Sequence, residues 1–194
     1  VIDDRNGYNF LENTNYPYDD HGHGTNAAGI IAGIPTNAVV QNTSTFDSLA
    51  IIPLKYTDKS GTGSCFHAAC AIRYAADYMS SGGNKVRVIN ASWEYYGEPN
   101  YILEDQLRYA AESCDILFVT SAGNDGLDND VANHYPSDFD LDNILVVGAT
   151  ANLLPNQLAS YSNYGANEVD LVADGTFNTT KATTTTLNET EVVN

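Results

Sequence analysis

The sequence is poor in basic residues: 8 Lys and Arg stand against 25 Asp and Glu, which gives a formal net charge of −17 over 194 residues. A surface this acidic repels phosphate groups, so nucleic acids and anionic membrane surfaces are not expected partners. Long hydrophobic runs are also missing, and no stretch approaches the roughly 20 apolar residues of a membrane-spanning helix. Apolar residues nevertheless make up 43% of the chain, which predicts one globular domain with a substantial core.

Cysteine is scarce as well, since the chain contains only Cys65, Cys70 and Cys114. No two of them form a Cys-x-x-Cys pair, so a redox motif or a zinc ribbon has no support. Three buried free thiols, or one disulfide with a third thiol left free, both remain open. No signal peptide is visible, and because the chain begins with Val1 we expect a processed product or a fragment.

What the chain does contain is an alternation of short apolar runs and amphipathic segments. The near-continuous run at residues 116–120 is typical of a parallel strand buried on both faces. Strands that alternate with helices form right-handed βαβ units and predict a mainly parallel sheet with helices on both faces, a three-layer α/β fold. The predicted strands cover residues 49–55, 86–92, 116–120, 144–149 and 169–173, and the predicted helices cover residues 65–79 and 101–113.

The two predicted helices carry apolar stripes at helical spacing. Ser64 is placed to cap the first helix, and the glycine pair at residues 82–83 to end it. We expect the inward-facing residues to be Ala68, Ala69, Ile72, Ala75, Ala76 and Met79 in the first helix, and Ile102, Leu103, Leu107, Ala110 and Ala111 in the second.

A histidine set between glycines, His23, opens a run of small and β-branched residues that ends at Gly33. The run predicts a buried helix, and a histidine at its start would be a general base on a rigid support. A structural or loop histidine is the alternative. A metal cluster of His21 and His23 with neighbouring aspartates is a weaker one, because a structural zinc site needs four ligands at recognisable spacing and no matching second half follows.

Polar residues follow two of the predicted strands directly, at residues 92–93 and 121–124. Catalytic and ligand-binding groups of parallel sheets collect at the carboxyl ends of the strands. Asn124 emerges there from a glycine-bounded turn, where its amide could donate a hydrogen bond to an oxygen that develops negative charge. The alternative is an asparagine that only shapes the turn.

Several of these segments together resemble the subtilisin-like serine proteases. Residues 22–29, GHGTNAAG, resemble the family's catalytic-histidine segment G-H-G-T-H-V-A-G, with mild departures at positions 26 and 27. Residues 122–126, AGNDG, match its oxyanion segment A-G-N-[DE]-G. The matches occur in the family's order from about Asp3 to Gly175. The others are I-N-x-S-[LW] at residues 89–93, Y-P-A at 135–137, A-S-F-S-N-Y-G at 159–165 and V-D-[IL]-x-A-P-G at 169–175, where Asp174 replaces the proline.

The resemblance implies a subtilisin-like three-layer fold and hydrolysis of polypeptide substrates by a Ser-His-Asp triad. It assigns His23 as general base and Asn124 as oxyanion donor. It further implies a monomer, secreted or in the endomembrane lumen, that requires no cofactor and no metal for the reaction; calcium binding is compatible with the acidic composition. The residues that would bind substrate are Ser92, Trp93, Glu94, Gly97, Ala122 and Gly123.

Two segments of the family pattern are missing from the sequence. No G-T-S-[MA]-[AS] segment with the catalytic serine occurs, and V-I-D-[ST]-G has only a partial echo in Val1-Ile2-Asp3, where two residues precede Asp3 and the glycine turn is absent. We therefore expect residues 1–175 to be part of a catalytic domain, inactive by itself. The Thr- and Asn-rich residues 176–194 would either lie within that domain or be poorly ordered.

A rival reading is a non-catalytic protein of the same family that binds peptides or has lost its activity. The sequence EYY at residues 94–96 in place of the family's glycines, and Asp174, favour it, whereas His23 and Asn124 argue against it. A nucleotide-binding α/β protein is a third reading, but no G-x-G-x-x-G follows a predicted strand.

Overall fold

The computed structural model describes residues 4–32, 49–79, 83–151 and 154–175. The chain divides into two compact units, Val1–Ala71 with Asn178–Asn194, and Ile72–Phe177. A short 3-10 turn, Asp4–Asn6, precedes the first strand. The helices are α1 (His23–Ile31), α2 (Cys65–Asp77) and α3 (Tyr101–Cys114), and the strands are β1 (Tyr8–Asn9), β2 (Leu54–Lys55), β3 (Val88–Ala91), β4 (Tyr95–Tyr96), β5 (Leu117–Ser121), β6 (His134–Tyr135), β7 (Ile144–Ala151), β8 (Leu154–Leu158) and β9 (Leu171–Asp174).

The first unit is built around β1 and β2, which pair in parallel. β2 covers only the last two residues of the predicted run at residues 49–55. Lys55 at its end is buried, and its ammonium donates to the carbonyl of Tyr18 and pairs with Asp20. A buried ammonium needs such partners, since burying an unpaired charge destabilises the fold by roughly several kcal/mol.

Helix α1 begins at His23 as predicted, but the expectation of a buried helix was wrong. Gly24, Thr25 and Ala28 are buried, whereas Ile30 and Ile31 are 48% and 43% exposed. The buried positions form one stripe at helical spacing, and the two isoleucines lie off it.

Helix α2 confirms the predicted cap: the backbone N–H of His67 donates to Ser64 Oγ at 3.2 Å. The predicted stripe of the helix is buried from Ala68 to Ala76, but Met79 is exposed. Because α2 ends at Asp77, Met79 lies outside the helix and its side chain does not continue the buried stripe.

The second unit contains the predicted parallel sheet. β3 pairs in parallel with β5, β5 with β7, and β7 with β9. One antiparallel strand, β8, was not predicted and pairs with the end of β7. The strands begin and end within a few residues of the predicted runs, and the carboxyl ends of β3 and β5 lie side by side because Ala91 is in register with Thr120.

Helix α3 packs against β5, and its Leu103, Leu107 and Ala110 are fully buried and recur at helical spacing. Ile102 was predicted to face inward and is 56% exposed, since it lies one residue off that stripe. Strand β5 was predicted to be buried on both faces; instead its burial alternates, with Phe118 buried and Leu117 exposed. In the part of the chain that the structure describes, no helix is long and apolar enough to cross a membrane.

Candidate active site

His23 is the first residue of α1, and its side chain is exposed. The residue before it, Gly22, adopts φ +93°, a left-handed conformation that glycine adopts without strain, and offers no side-chain cap to the helix. The ring of His21 lies 6.2 Å from the ring of His23, centroid to centroid. The turn that leads into α1 therefore presents two imidazoles close together on the surface of the first unit.

The helix is capped from a distance by Asp19. Its Oδ2 accepts hydrogen bonds from the backbone N–H of Thr25 at 2.8 Å and from the Thr25 hydroxyl at 2.5 Å, and its Oδ1 accepts from the N–H of His21 and of Gly22. Partial burial acts to raise the pKa of this carboxyl, but these four hydrogen bonds to the ionised form outweigh it and hold the pKa below its usual range. Asp19 thus fixes the backbone on both sides of His23.

In the second unit Asn124 lies on the turn that follows β5, and its side chain is exposed. Before it, Ala122 is buried and donates its N–H to the carbonyl of Val147 at 2.9 Å, which anchors the turn to β7. Gly123 adopts φ +109°, a conformation that L side chains rarely adopt. The amide of Asn124 is therefore carried on a backbone that is tied to the sheet.

A buried asparagine, Asn163, organises this turn. Its Oδ1 accepts the N–H of Asp125 at 2.9 Å and the N–H of Leu127 at 3.0 Å. Its Nδ2 donates to Oδ1 of Asn129, whose own Nδ2 donates to the carbonyl of Ala122 at 2.8 Å. The two asparagines thus make hydrogen bonds to backbone groups on both sides of Asn124 and fix the conformation of the turn.

The segment after β3 carries the predicted substrate-binding residues. Ser92 is exposed and accepts a hydrogen bond from the side chain of Asn90, and the half-buried Trp93 packs edge-on against Phe118 with 6.5 Å between ring centroids. The segment then forms β4, which pairs antiparallel with β6, and turns away at Gly97 with φ +120°.

Glu94 lies next to a fully buried histidine, His134. The Oε2 of Glu94 is 3.2 Å from Nε2 of His134, and Nδ1 of the same ring is 2.6 Å from the hydroxyl of Ser137. Asp138 accepts the backbone N–H of His134, and burial raises the pKa of this carboxyl. A peptide bond in the cis form joins Tyr135 to Pro136.

The structure brings together Ser92, Trp93, Ala122, Gly123 and Asn124, which follow the adjacent carboxyl ends of β3 and β5, whereas Glu94 and Gly97 flank β4. His23 belongs to the first unit. Asp3 and residues 176–194 lie outside the described residues. Sequence reasoning considered Asp19 only as a possible metal ligand and not as a helix cap. It missed Asn129, Asn163 and His134, and the one signal for these was that Asn163 falls within a matched family segment.

The three cysteines are free thiols and half-buried, so of the two arrangements left open the disulfide is not formed. Burial raises the pKa of the Cys65 thiol, which keeps it protonated and unreactive at neutral pH. Within the described ranges, no three His, Cys, Asp or Glu side chains are grouped so that they could hold a metal ion.

Comparison with known proteins places this geometry in a family. The model of the subtilase family matches residues 1–194. Relatives include the cell wall-associated protease of Bacillus subtilis (strain 168), 36% identical over 169 residues, and thermitase of Thermoactinomyces vulgaris, 30% identical over 171 residues. These alignments cover 87% and 88% of this chain but 17% and 55% of the relatives, so the chain spans well under two thirds of their length.

Solved structures confirm the predicted fold class. A cold adapted subtilisin-like serine proteinase superposes with a TM-score of 0.66 at 24% identity, covering 90% of this chain and 55% of that one. A lanthipeptide protease superposes with a TM-score of 0.64 at 24% identity, covering 90% and 49%. The described chain has the three-layer subtilisin-like α/β fold with its mainly parallel sheet. By the match of the family model to its whole length, the chain belongs to the subtilase family.

Proposed function

We propose that this chain is part of a serine endopeptidase of the subtilisin type. His23 is its general base, Asn124 its oxyanion donor, and the catalytic serine and aspartate are supplied by the complete protein. The observation that carries the proposal is the turn after β5, where an exposed amide stands on a backbone held by buried asparagines. An oxyanion donor must be in place before charge develops, and a fixed amide meets that requirement.

In the proposed reaction the serine hydroxyl attacks the scissile carbonyl carbon and passes its proton to the imidazole of His23. The carbonyl oxygen becomes an oxyanion, to which Asn124 Nδ2 donates a hydrogen bond. When the intermediate collapses, the C–N bond breaks and the imidazolium gives its proton to the leaving amine. Water then hydrolyses the acyl-enzyme by the same steps, with the imidazole again as base.

Peptide substrates would lie along the ends of β3 and β5. Ser92 and Trp93 follow β3 directly, and Ala122 and Gly123 form the facing side, with Glu94 and Gly97 completing the contact region. We propose a monomer that acts on polypeptides, outside the cell or in the endomembrane lumen. The name of the cell wall-associated relative supports that location. The proposed chemistry needs no cofactor, and calcium would have a structural role where it binds.

The test is labelling of the complete protein with a serine-reactive fluorophosphonate. We expect covalent labelling that slows by about 10³-fold or more in His23→Ala, because the serine loses its base. His21→Ala is the matched control: it removes the neighbouring imidazole, and labelling should continue. Absence of labelling in the unmodified complete protein would instead favour an inactive, peptide-binding member of the family.

A further inference from the structure

The two segments that would flank a bound peptide are joined by a tyrosine. They are the β3 segment (residues 92–97) and the β5 turn (residues 121–126). The hydroxyl of Tyr96 donates to Oδ2 of Asp125 at 2.6 Å and accepts from Nδ2 of Asn163 at 3.3 Å. Burial, and next the hydrogen bond to Asp125, raise the pKa of Tyr96 to about 12, so the hydroxyl keeps its proton and remains a donor.

Below this bridge the space is filled by the imidazole of His134. Its ring centroid lies 5.0 Å from that of Tyr96 at an interplanar angle of 64°, and the ring is fully buried. On the other side it touches the β5 turn so closely that a Cβ added to Gly123 would lie 2.7 Å from Nε2. Glu94 Oε2 contacts the same Nε2 at 3.2 Å.

The buried imidazole of His134 and the hydrogen-bonded ring of Tyr96, which is 43% exposed, therefore lie between the two segments. A long substrate side chain could enter only if Tyr96 gave up its hydrogen bonds or the buried ring of His134 moved, and moving a fully buried ring costs free energy. A methyl or hydroxymethyl group needs no such rearrangement.

We propose that the site selects peptides with a small residue, alanine, serine or glycine, immediately before the scissile bond, and that Tyr96, Glu94 and His134 determine this preference. The inference rests on the proposed function, because it assigns the space between the two segments to that substrate residue. The inference concerns the room available to that substrate side chain, and it goes beyond the catalytic roles of His23 and Asn124.

Selection of lysine or arginine by the acidic side chains is the competing expectation. Both carboxylates, however, already have partners: Glu94 faces Nε2 of His134, and Asp125 accepts the hydrogen bond of Tyr96. A basic substrate side chain would have to displace these contacts as well as find room. Volume, not charge, thus decides the preference.

Binding of product-like peptides to the complete protein tests the inference without requiring catalysis. Trp93 lies in the β3 segment, so the part of the tryptophan fluorescence change that is lost in Trp93→Phe reports occupancy of that segment. N-acetyl tetrapeptides that differ only in a C-terminal Ala, Phe or Lys are titrated. We expect the Ala peptide to bind at least about tenfold more tightly than the other two, a discrimination of the size that a closed pocket produces.

Variants separate volume from charge. Tyr96→Ala should open the space and reduce the advantage of Ala over Phe to about threefold or less, whereas Tyr96→Phe keeps the ring and should retain most of it. Glu94→Gln should leave the order of the three peptides unchanged. A Phe or Lys peptide that binds the unmodified protein as tightly as the Ala peptide would overturn the inference but leave the peptide-binding site standing. If none of the three binds, the peptide site itself is wrong, and the inference falls with it.

Discussion

Asn163 Oδ1 accepts the backbone N–H of Asp125 at 2.9 Å, and this contact joins residues 38 positions apart in the sequence. Asn163 is fully buried, and its Nδ2 contacts Asn129 and Tyr96. One side chain thereby holds the turn that carries Asn124 and the tyrosine that fills the space beside it. The geometry of the candidate site depends on this residue although it would touch no substrate.

Asn163→Ala should therefore destabilise the chain strongly. It leaves two buried N–H groups, those of Asp125 and Leu127, without their acceptor, at about 1–3 kcal/mol each. We expect a loss of about 3 kcal/mol in the free energy of unfolding, measured by urea denaturation. Asn133→Ala, at an exposed asparagine of the same unit, is the control and should change it by less than about 0.5 kcal/mol. Equal effects of the two substitutions would contradict the role given to Asn163.

Gly123→Ala should be costly for two separate reasons. The residue has φ +109°, and a Cβ there would meet the side chains of His134 and Asn163. Gly97→Ala is a matched control, since Gly97 has φ +120° but open space around a Cβ. We expect Gly97→Ala to lower the free energy of unfolding by about 1 kcal/mol through backbone strain. Gly123→Ala should lower it by about 3 kcal/mol or more, because overpacking adds to the backbone strain. Thermal unfolding of both variants checks this, and a cost for Gly97→Ala that matches that of Gly123→Ala would refute the close contact.

Asp19 should make stability depend on pH in the acid range. Its folded-state pKa lies below the ordinary value of about 3.9. The ionised carboxylate therefore stabilises the fold above pH 4, and this contribution is lost as the pH falls through the folded-state pKa. Asp19→Asn should cost about 1 kcal/mol at pH 7, as the loss of a helix cap does, and progressively less at lower pH.

The measurement is urea unfolding of the unmodified chain and Asp19→Asn at pH 7 and at the lowest pH where both remain folded. Asp142→Asn, at an exposed aspartate, is the control. A difference between Asp19→Asn and the unmodified chain that stays constant across this pH range would show that the ionised form makes no contribution.

The elements that could be predicted from the sequence are those that depend on neighbouring residues. The cap at Ser64, the start of α1 at His23 and the apolar stripes of α2 and α3 all follow from spacings of three or four residues. Two of the errors came at the edges of these patterns: Ile102 lies one residue off its stripe, and Met79 lies beyond the end of its helix.

The candidate site was predictable only in part, because some of its contacts join residues that are far apart in the sequence. Asn124 and the β3 segment follow predicted strands directly, so their positions could be inferred from the parallel sheet. The contacts that hold them join distant residues: Glu94 meets His134 across 40 positions, and Tyr96 meets Asn163 across 67. No local pattern in the sequence indicates such pairs. The filling of the space between the two segments is accordingly known only from the structure.

The most direct test of the account is the turnover of a peptide substrate by the complete protein carrying Asn124→Ala. Because Asn124 is exposed and its proposed contact forms only as charge develops, kcat should fall by about 10²–10³-fold while KM changes little. Asn133→Ala should leave both constants unchanged. A kcat for Asn124→Ala within about threefold of the unmodified protein would contradict the assignment of Asn124 as oxyanion donor.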